Sequence, residues 1–167
     1  VGSEMCIRDS IIYSDDRGEN WVQAQNVPTR NTLTKITFVD DKTGFVVGHD
    51  ATILKTEDGG ESWSLKYIER RGENPLFGLQ FSSATYGVAV GAFSTVMETK
   101  DGGETWTQRP LIEGGYDDFH LNGLFTDAAG HLYIPAEFGV VYKSVDGGRT
   151  FEAVSYTHLT LPTMFEV

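Results

Sequence analysis

Short runs of apolar and β-branched residues alternate with polar, glycine-containing segments along most of this chain. Three stretches share the order strand, turn, strand, turn, strand: ITFVDDKTGFVVGHDATILKT from Ile36, LQFSSATYGVAVGAFSTVMET from Leu79 and GLFTDAAGHLYIPAEFGVVYKS from Gly123. No segment carries apolar residues at the 3.6-residue spacing of an amphipathic helix. Because strands joined by such short connections form antiparallel meanders, the pattern predicts an all-β protein without helices.

Each of these units is followed by an octet that recurs along the chain. The copies are TEDGGESW from Thr56, TKDGGETW from Thr99 and SVDGGRTF from Ser144, with a looser copy, SDDRGENW, from Ser14. Their aspartates are separated by 42, 43 and 45 residues, which is the period of a four-stranded propeller blade. The recurring residues are Ser14, Asp16, Gly18, Trp21, Thr56, Asp58, Gly60, Trp63, Thr99, Asp101, Gly103, Trp106, Ser144, Asp146, Gly148 and Phe151.

This period divides residues 11–153 into three complete units and part of another. We expect a half blade at 11–27, made of the last two strands of a unit, and blades at 32–68, 75–109 and 119–153. In the first complete blade the strands are predicted near 34–39, 44–48, 52–56 and 62–68. The predicted fold is therefore a β-propeller fragment of about three and a half four-stranded antiparallel blades, with an octet between the third and fourth strands of each.

The octet has the residues of a structural hairpin loop. A short carboxylate such as that of Asp58 can accept hydrogen bonds from nearby backbone N–H groups. Gly59 and Gly60 permit positive φ values that a Cβ would disfavour. Trp63 leaves the loop with a large ring to bury, and its place in every repeat favours packing between blades over stacking on a sugar. We therefore interpret the aspartates as structural rather than catalytic residues.

The octet resembles the Asp-box, or bacterial neuraminidase repeat, with Ser/Thr, Asp, Gly, Ser/Thr and Trp/Phe at fixed positions. Three copies match fully, and the first has Asn20 where Ser or Thr is usual. The longer phrases GFVVGHDATILKTEDGGESW and YGVAVGAFSTVMETKDGGETW resemble the repeat of the photosystem II stability/assembly factor family. Over residues 11–153 this resemblance implies a piece of a seven-bladed propeller and an exported, non-catalytic protein-binding or assembly module.

The net charge and the sequences at the two chain ends limit the possible partners and the extent of the predicted fold. The 167 residues include 13 Lys plus Arg against 24 Asp plus Glu, a net charge of −11, which argues against nucleic acid because that affinity requires clustered cations. No apolar run has the length of a transmembrane segment. Residues 1–10 and 154–167 resemble translated sequencing adapters and are predicted to be artefactual extensions, the alternative being native edge strands. Setting them aside removes Cys6, the single cysteine.

Catalytic, metal and cofactor sites are not predicted. No two of His49, His120 and His131 have the spacing of paired metal ligands, and TEDGGE lacks the ligand pattern of a calcium loop. Asp-boxes also occur in sialidases, and a likeness to those enzymes would imply an arginine cluster and an Arg-Ile-Pro motif, but Ile134 and Pro135 follow a tyrosine. A sialidase-like glycoside hydrolase with its site in further blades is one alternative, and a structural repeat of a larger exported protein is another.

A protein client is the favoured partner, and a glycan is less favoured. In a meander, the second-to-third turns and the blade-to-blade connections lie on the face opposite the Asp-boxes, and their residues differ between repeats. Aromatic residues beside arginines and carboxylates are typical of protein-binding hot spots. The candidate contact residues are His49, Asp50, Arg70, Arg71, Phe93, Tyr116, Asp117, Asp118, Phe119, Glu137 and Phe138. The expected location is periplasmic or extracellular, or the thylakoid lumen in a phototroph.

Overall fold

A computed structural model describes residues 11–70, 74–112 and 118–154 of this chain. The half blade contains β1 (Ile12–Tyr13) and β2 (Val22–Gln23). Blade 1 contains β3 (Leu33–Phe38), β4 (Gly44–Gly48), β5 (Ile53–Thr56) and β6 (Ser64–Tyr67). Blade 2 contains β7 (Leu76–Phe81), β8 (Gly87–Gly91), β9 (Val96–Thr99) and β10 (Thr107–Arg109). Blade 3 contains β11 (Phe125–Thr126), β12 (Leu132–Pro135), β13 (Val141–Ser144) and β14 (Glu152–Val154).

Every sheet is an antiparallel meander in chain order. The half blade forms a two-stranded sheet, and blades 1, 2 and 3 each form a four-stranded sheet. The prediction of an all-β fragment of about three and a half blades is confirmed. The described residues contain no α-helix, as expected, and one short 3-10 turn at Glu137–Gly139 lies between β12 and β13. The extensions predicted at 1–10 and 154–167 lie outside the described residues except for Val154, which ends β14.

The hydrophobic core consists of three clusters, one at each junction between successive blades. Ile11 and Ala24 of the half blade pack with Trp63 of blade 1. Phe45 of β4 packs with Trp106 of blade 2, and Phe151 of blade 3 lies in the third cluster with residues of β8. Since each cluster contains the last residue of an octet, the octets link neighbouring blades as well as closing hairpins.

The blade topology gives the molecule two opposite faces. The Asp-box face carries the octets together with the first-to-second turns at 39–43, 82–86 and 127–131, and the backbone N–H of Gly59 donates to the carbonyl of Lys42 (2.9 Å). The turn face carries the second-to-third turns at 49–52, 92–95 and 137–140 and the described parts of the connections between blades, which are 27–32, 68–70, 74–75, 110–112 and 118–121. Loops that vary between repeats therefore lie together on the turn face.

Candidate partner-binding face

The Asp-box of blade 2 shows how each octet is held. Thr99 donates its hydroxyl to Asp101 Oδ1 (2.8 Å), and Thr105 donates its backbone N–H to the same oxygen (2.9 Å) and its hydroxyl to Oδ2 (2.5 Å). The N–H of Gly103 donates to the Thr99 hydroxyl (2.9 Å). Trp106 Nε1 donates to the Gly103 carbonyl (3.2 Å). One carboxylate and one hydroxyl thus organise the whole loop, and both oxygens of Asp101 accept bonds from the loop itself.

The octet of the half blade keeps this arrangement despite its different sequence. Asn20 occupies the place of the usual Ser or Thr, and its side-chain amide donates to Asp16 Oδ2 (2.5 Å) while its backbone N–H donates to Oδ1 (2.8 Å). Arg17 takes a positive φ of 64° where the other copies have glycine. The amide group of asparagine therefore replaces the hydroxyl without loss of the loop.

Hydrogen bonds hold the octet carboxylates in their charged form. Bonds from the Ser62 hydroxyl and backbone lower the pKa of Asp58 to about 2. Bonds from Thr105 do the same for Asp101, whose pKa is also about 2. For Asp146, desolvation opposes the shift, but hydrogen bonds headed by that from Thr150 outweigh it and again give a pKa of about 2. These low values indicate acceptors for loop N–H groups rather than proton donors.

On the turn face, the second-to-third turns adopt an unusual backbone. Asp50 and Ala51 have φ of 54° and 47°, and Phe93 and Ser94 have φ of 51° and 50°. In blade 3, Phe138 has φ of 56° inside the 3-10 turn. Non-glycine residues rarely adopt this left-handed region, and bulky ones there are often associated with function. The geometry places Asp50, Phe93 and Phe138 at the same point of successive blades.

An aromatic cluster occupies the turn face at blades 2 and 3. Phe93 packs against His120 with ring centroids 4.9 Å apart, and Phe119 meets Phe138 edge to face at 5.6 Å. Phe93 is 50% exposed and Phe138 is 87% exposed, whereas Phe119 is half-buried against the core. Glu137 accepts a hydrogen bond from the backbone N–H of His120 (3.1 Å). The cluster therefore has a fixed base and two exposed phenylalanine rings.

A groove of about 650 Å³ lies on the same face beside blade 1. Its polar lining includes Arg30, Arg70, Asn31 and Asp50, and its apolar lining comes from 27–28 and from Leu65 and Ile68. Asn31 Nδ2 donates to Asp50 Oδ2 (3.0 Å) and to the Thr52 hydroxyl (2.8 Å), so the turn is tied to the connection before it. The exposed Arg70 at this groove suits a client segment that carries negative charge.

The candidate contact residues are thus divided between two patches. His49 is exposed, and Asp50 and Arg70 line the groove, while Phe93, Phe119, Glu137 and Phe138 belong to the aromatic cluster beside the exposed Asp118. Arg71, Tyr116 and Asp117 lie outside the described residues. Whether any of these residues contacts a client stays a prediction.

Sequence reasoning missed three contributors to this face: Arg30 and Asn31 in the groove and His120 under Phe93. In the sequence, His120 raises only the question of a metal ligand. Alignment of the repeats gives one usable signal, because Asn31 and Asn74 both stand two residues before the first strand of a blade. Both contact the second-to-third turn of blade 1, Asn31 from the connection before that blade and Asn74 from the connection after it. The Asn74 carbonyl accepts the N–H of Ala51 (2.7 Å).

Metal ligands do not converge in the described part of the chain. No group of three or more His, Cys, Asp or Glu residues there could hold a metal ion. His131 instead contacts Asp127, with Nδ1 3.0 Å from Oδ2, in the first turn of blade 3. Nor do residues 11–70, 74–112 and 118–154 contain a helix with the length and apolarity of a membrane span.

A known protein family matches most of this chain. The family model described as photosynthesis system II assembly factor YCF48 matches residues 13–77 and 68–163. The photosystem II assembly lipoprotein Ycf48 of Picosynechococcus sp. is 38% identical over 138 residues, covering 81% of this chain and 40% of the relative. The Ycf48 protein of Thermosynechococcus vestitus is 39% identical over 41 residues, covering 25% of this chain and 12% of that protein. The chain therefore spans less than half the length of these relatives.

Solved structures also resemble this fold. A YCF48 bound to D1 peptide has a TM-score of 0.61 and 26% identity, covering 75% of this chain and 42% of that one. An ancestral GH74 enzyme has a higher TM-score of 0.70 at 16% identity, covering 90% of this chain and 22% of the enzyme, and at that identity it shows the fold alone. The family model, by contrast, matches well over half of the sequence. On this match, the chain belongs to the photosynthesis system II assembly factor YCF48 family.

Proposed function

We propose that this chain is part of an exported assembly-factor propeller whose turn face binds a segment of a client protein. The observation that carries the proposal is the exposure of Phe93 and Phe138 at matching left-handed turn positions. Exposed aromatic rings on a rigid base are typical hot-spot residues, because little conformational entropy is lost when a partner covers them. A peptide client is favoured because one structurally similar relative is a YCF48 bound to D1 peptide.

The Asp-box face is the weaker candidate for recognition. Its aspartates and hydroxyls are engaged in the octets, and the same bonds recur in each copy. Such a face gives similar chemistry in every blade, whereas the turn face offers a charged groove at blade 1 and an aromatic cluster at blades 2 and 3. Specific recognition requires differences of this kind.

The glycoside hydrolase alternative is not favoured, because the matching family model and the curated relatives are assembly factors rather than hydrolases. Arg109, one of the arginines that could have belonged to a sialidase-type cluster, instead pairs with Glu98 (Nε to Oε2, 3.2 Å). An exported location is supported by the Picosynechococcus relative, which is described as a lipoprotein. The lumen is the corresponding compartment in a phototroph.

The test is to titrate a fluorescently labelled D1 peptide with the chain and to measure binding by fluorescence anisotropy. We expect Phe138→Ala and Phe93→Ala each to raise the dissociation constant by about tenfold, the usual effect of truncating a hot-spot residue. Arg70→Glu is expected to weaken binding more at low salt than at high salt, because the exposed charge is screened. All three variants should keep the melting temperature of the parent chain.

Glu61→Lys is the matched control, because Glu61 is an exposed charge on the Asp-box face. Glu104 is unsuitable, since its carboxylate pairs with Lys55 and Lys66 and its reversal would disturb a blade junction. If Glu61→Lys weakens peptide binding and the turn-face variants do not, recognition occurs on the Asp-box face. If the parent chain binds no D1 peptide, the proposed client is wrong.

A further inference from the structure

A cavity of about 660 Å³ opens on the Asp-box face between blades 1 and 2. Thr43, Phe45 and Lys55 of blade 1 line one side, and Phe81 and the turn at 82–84 of blade 2 line the other. Both blades are complete four-stranded sheets, so the cavity lies inside the array rather than at either end. Its volume is within the range of about 300–1,000 Å³ that is typical of small-molecule sites.

At the junction between blades 2 and 3, a tyrosine ring occupies the corresponding place. Tyr86 and Thr43 both stand directly before the glycine that begins the second strand of their blade. The Tyr86 side chain reaches the octet of blade 3, where the Arg149 guanidinium lies 4.5 Å from its ring centroid. Its hydroxyl donates to Glu98 Oε2 (3.0 Å), and Tyr86 is 5% exposed. Because threonine has no ring, the aligned place between blades 1 and 2 is left open.

Aromatic side chains supply the apolar lining of the cavity. Phe45 and Phe81 stack with ring centroids 4.6 Å apart and an interplanar angle of 27°. Phe45 is larger than Val88, its counterpart in blade 2, but its ring lies against Gly103, where an added Cβ would overlap it. The space beside Thr43 therefore stays open, with two stacked rings at its edge.

One buried cation also lines the cavity. Lys55 Nζ pairs with Glu57 (2.9 Å) and Glu104 (2.5 Å), and its side chain is 9% exposed. An ammonium group has three N–H donors, so these two ion pairs leave one donor for a ligand oxygen. The two carboxylates beside Lys55 disfavour an anionic ligand. A phenol fits these conditions, because it is neutral and its oxygen can accept a hydrogen bond.

The turns that enclose the cavity are held by their own side chains. Asp40 Oδ1 accepts the backbone N–H groups of Lys42 (2.8 Å) and Thr43 (2.7 Å). In blade 2, Ser83 Oγ accepts the backbone N–H of Tyr86 (3.0 Å). Since these bonds are internal to each turn, the walls of the cavity are preformed, and little conformational entropy is lost when a ligand enters.

We propose that the cavity between blades 1 and 2 binds a phenol ring, in the place that Tyr86 fills between blades 2 and 3. The ring lies beside Phe45 and Phe81, and its oxygen accepts the remaining N–H of Lys55. Since a cavity of about 150 Å³ holds a benzene molecule, this one also admits the group that bears the ring. A tyrosine side chain of a partner and a free small phenol share this chemistry. The site lies on the Asp-box face and is separate from the client site proposed for the turn face.

The test is a two-dimensional NMR titration of the nitrogen-labelled full chain with p-cresol, the analogue of a tyrosine side chain. The amide signals of Thr43, 82–84 and Gly102 are expected to shift, and those of the turn face to stay unchanged. Toluene lacks the hydroxyl and is expected to bind about tenfold more weakly, because it loses a hydrogen bond from a charged donor. N-acetyltyrosinamide separates the two sources: if it binds as p-cresol does, the ligand is a tyrosine residue, and if only p-cresol binds, it is a free phenol.

The Thr43→Tyr variant supplies the ring from within the chain. It is expected to abolish p-cresol binding and to raise the melting temperature, because the new ring is buried as that of Tyr86 is. Val145→Tyr is the matched control, since it adds a tyrosine to the same face at a residue that is 70% exposed, and it should leave binding unchanged. Lys55→Met removes the donor, so this variant should bind p-cresol and toluene equally.

Circular dichroism should show that each variant is folded. Cavity signals of the parent chain that do not respond to p-cresol overturn the proposal. So does a Thr43→Tyr variant that binds p-cresol as the parent chain does. Equal affinity of the parent chain for p-cresol and toluene also overturns it, because binding would then not depend on the bond from Lys55.

Discussion

Replacement of Trp106 by alanine tests whether the octet aromatic holds two blades together. The ring is 5% exposed and contacts both Phe45 and Phe81 edge to face, at 6.4 and 6.1 Å. Burial of about 200 Å² of aromatic surface, at about 25 cal/mol per Å², corresponds to about 5 kcal/mol. Since alanine keeps part of this burial but leaves a cavity, we expect a loss of about 3–5 kcal/mol in the free energy of unfolding.

Trp21→Ala is the matched control, because Trp21 holds the same octet position but is 61% exposed. Its loss should not exceed about 1–2 kcal/mol by the same area estimate. Thermal melts monitored by far-UV circular dichroism should show Trp106→Ala melting about 6–20 °C below the parent, at about 2–4 °C per kcal/mol. Equal shifts for the two variants would refute the idea that burial between blades is the source of the stability.

Two further predictions concern the octet loops. The free energy of unfolding should be constant above about pH 4 and fall as the pH approaches 2, because the pKa of Asp58 and Asp101 in the folded chain is about 2 and lies below the usual 3.8. Urea titrations at several pH values measure this dependence, and Asp101→Asn should flatten it. The Gly103→Ala variant should melt at a much lower temperature than the Gly130→Ala variant. Both glycines have a φ of +84°, but only at Gly103 would an added Cβ overlap the Phe45 ring. Equal melting temperatures would contradict this clash.

Strand positions were predictable because glycine and polar residues delimit each short apolar run. β4 runs over Gly44–Gly48 as predicted, and β3, β5 and β6 begin or end within two residues of their predicted limits. The 3-10 turn at Glu137–Gly139 was not predicted, because it depends on the left-handed conformation of Phe138 and on the bond from Val140 N–H to the Glu137 carbonyl. Neither leaves a periodic signal in the sequence.

The candidate site was less predictable than the fold. Placement of Phe93 and Phe138 on one face followed from the repeat, but their ring partners did not, since His120 and Phe119 reach them through a connection of irregular length. Lys55 and Glu104 are 49 residues apart, and their pairing depends on how blades pack rather than on local spacing. The aligned positions Lys55 and Glu98 carry opposite charges in the sequence, but only the structure shows that Lys55 pairs with the next octet while Glu98 pairs with Lys100 and Arg109.

The charges at the blade junctions limit how such an array can grow by duplication. A tandem copy of blade 1 would place Lys55 of the first copy opposite Glu61 of the second, which is a compatible pair. A tandem copy of blade 2 would place Glu98, which already pairs with Lys100 and Arg109, opposite Glu104 of the second copy. The second carboxylate would compete with Glu98 for these two cations, so a junction of this kind is expected to be weaker than one that pairs a lysine with a glutamate. Substitutions at these junctions are therefore expected to occur in pairs. A change in the charge on the third strand of one blade is expected to accompany a change in the octet of the next blade.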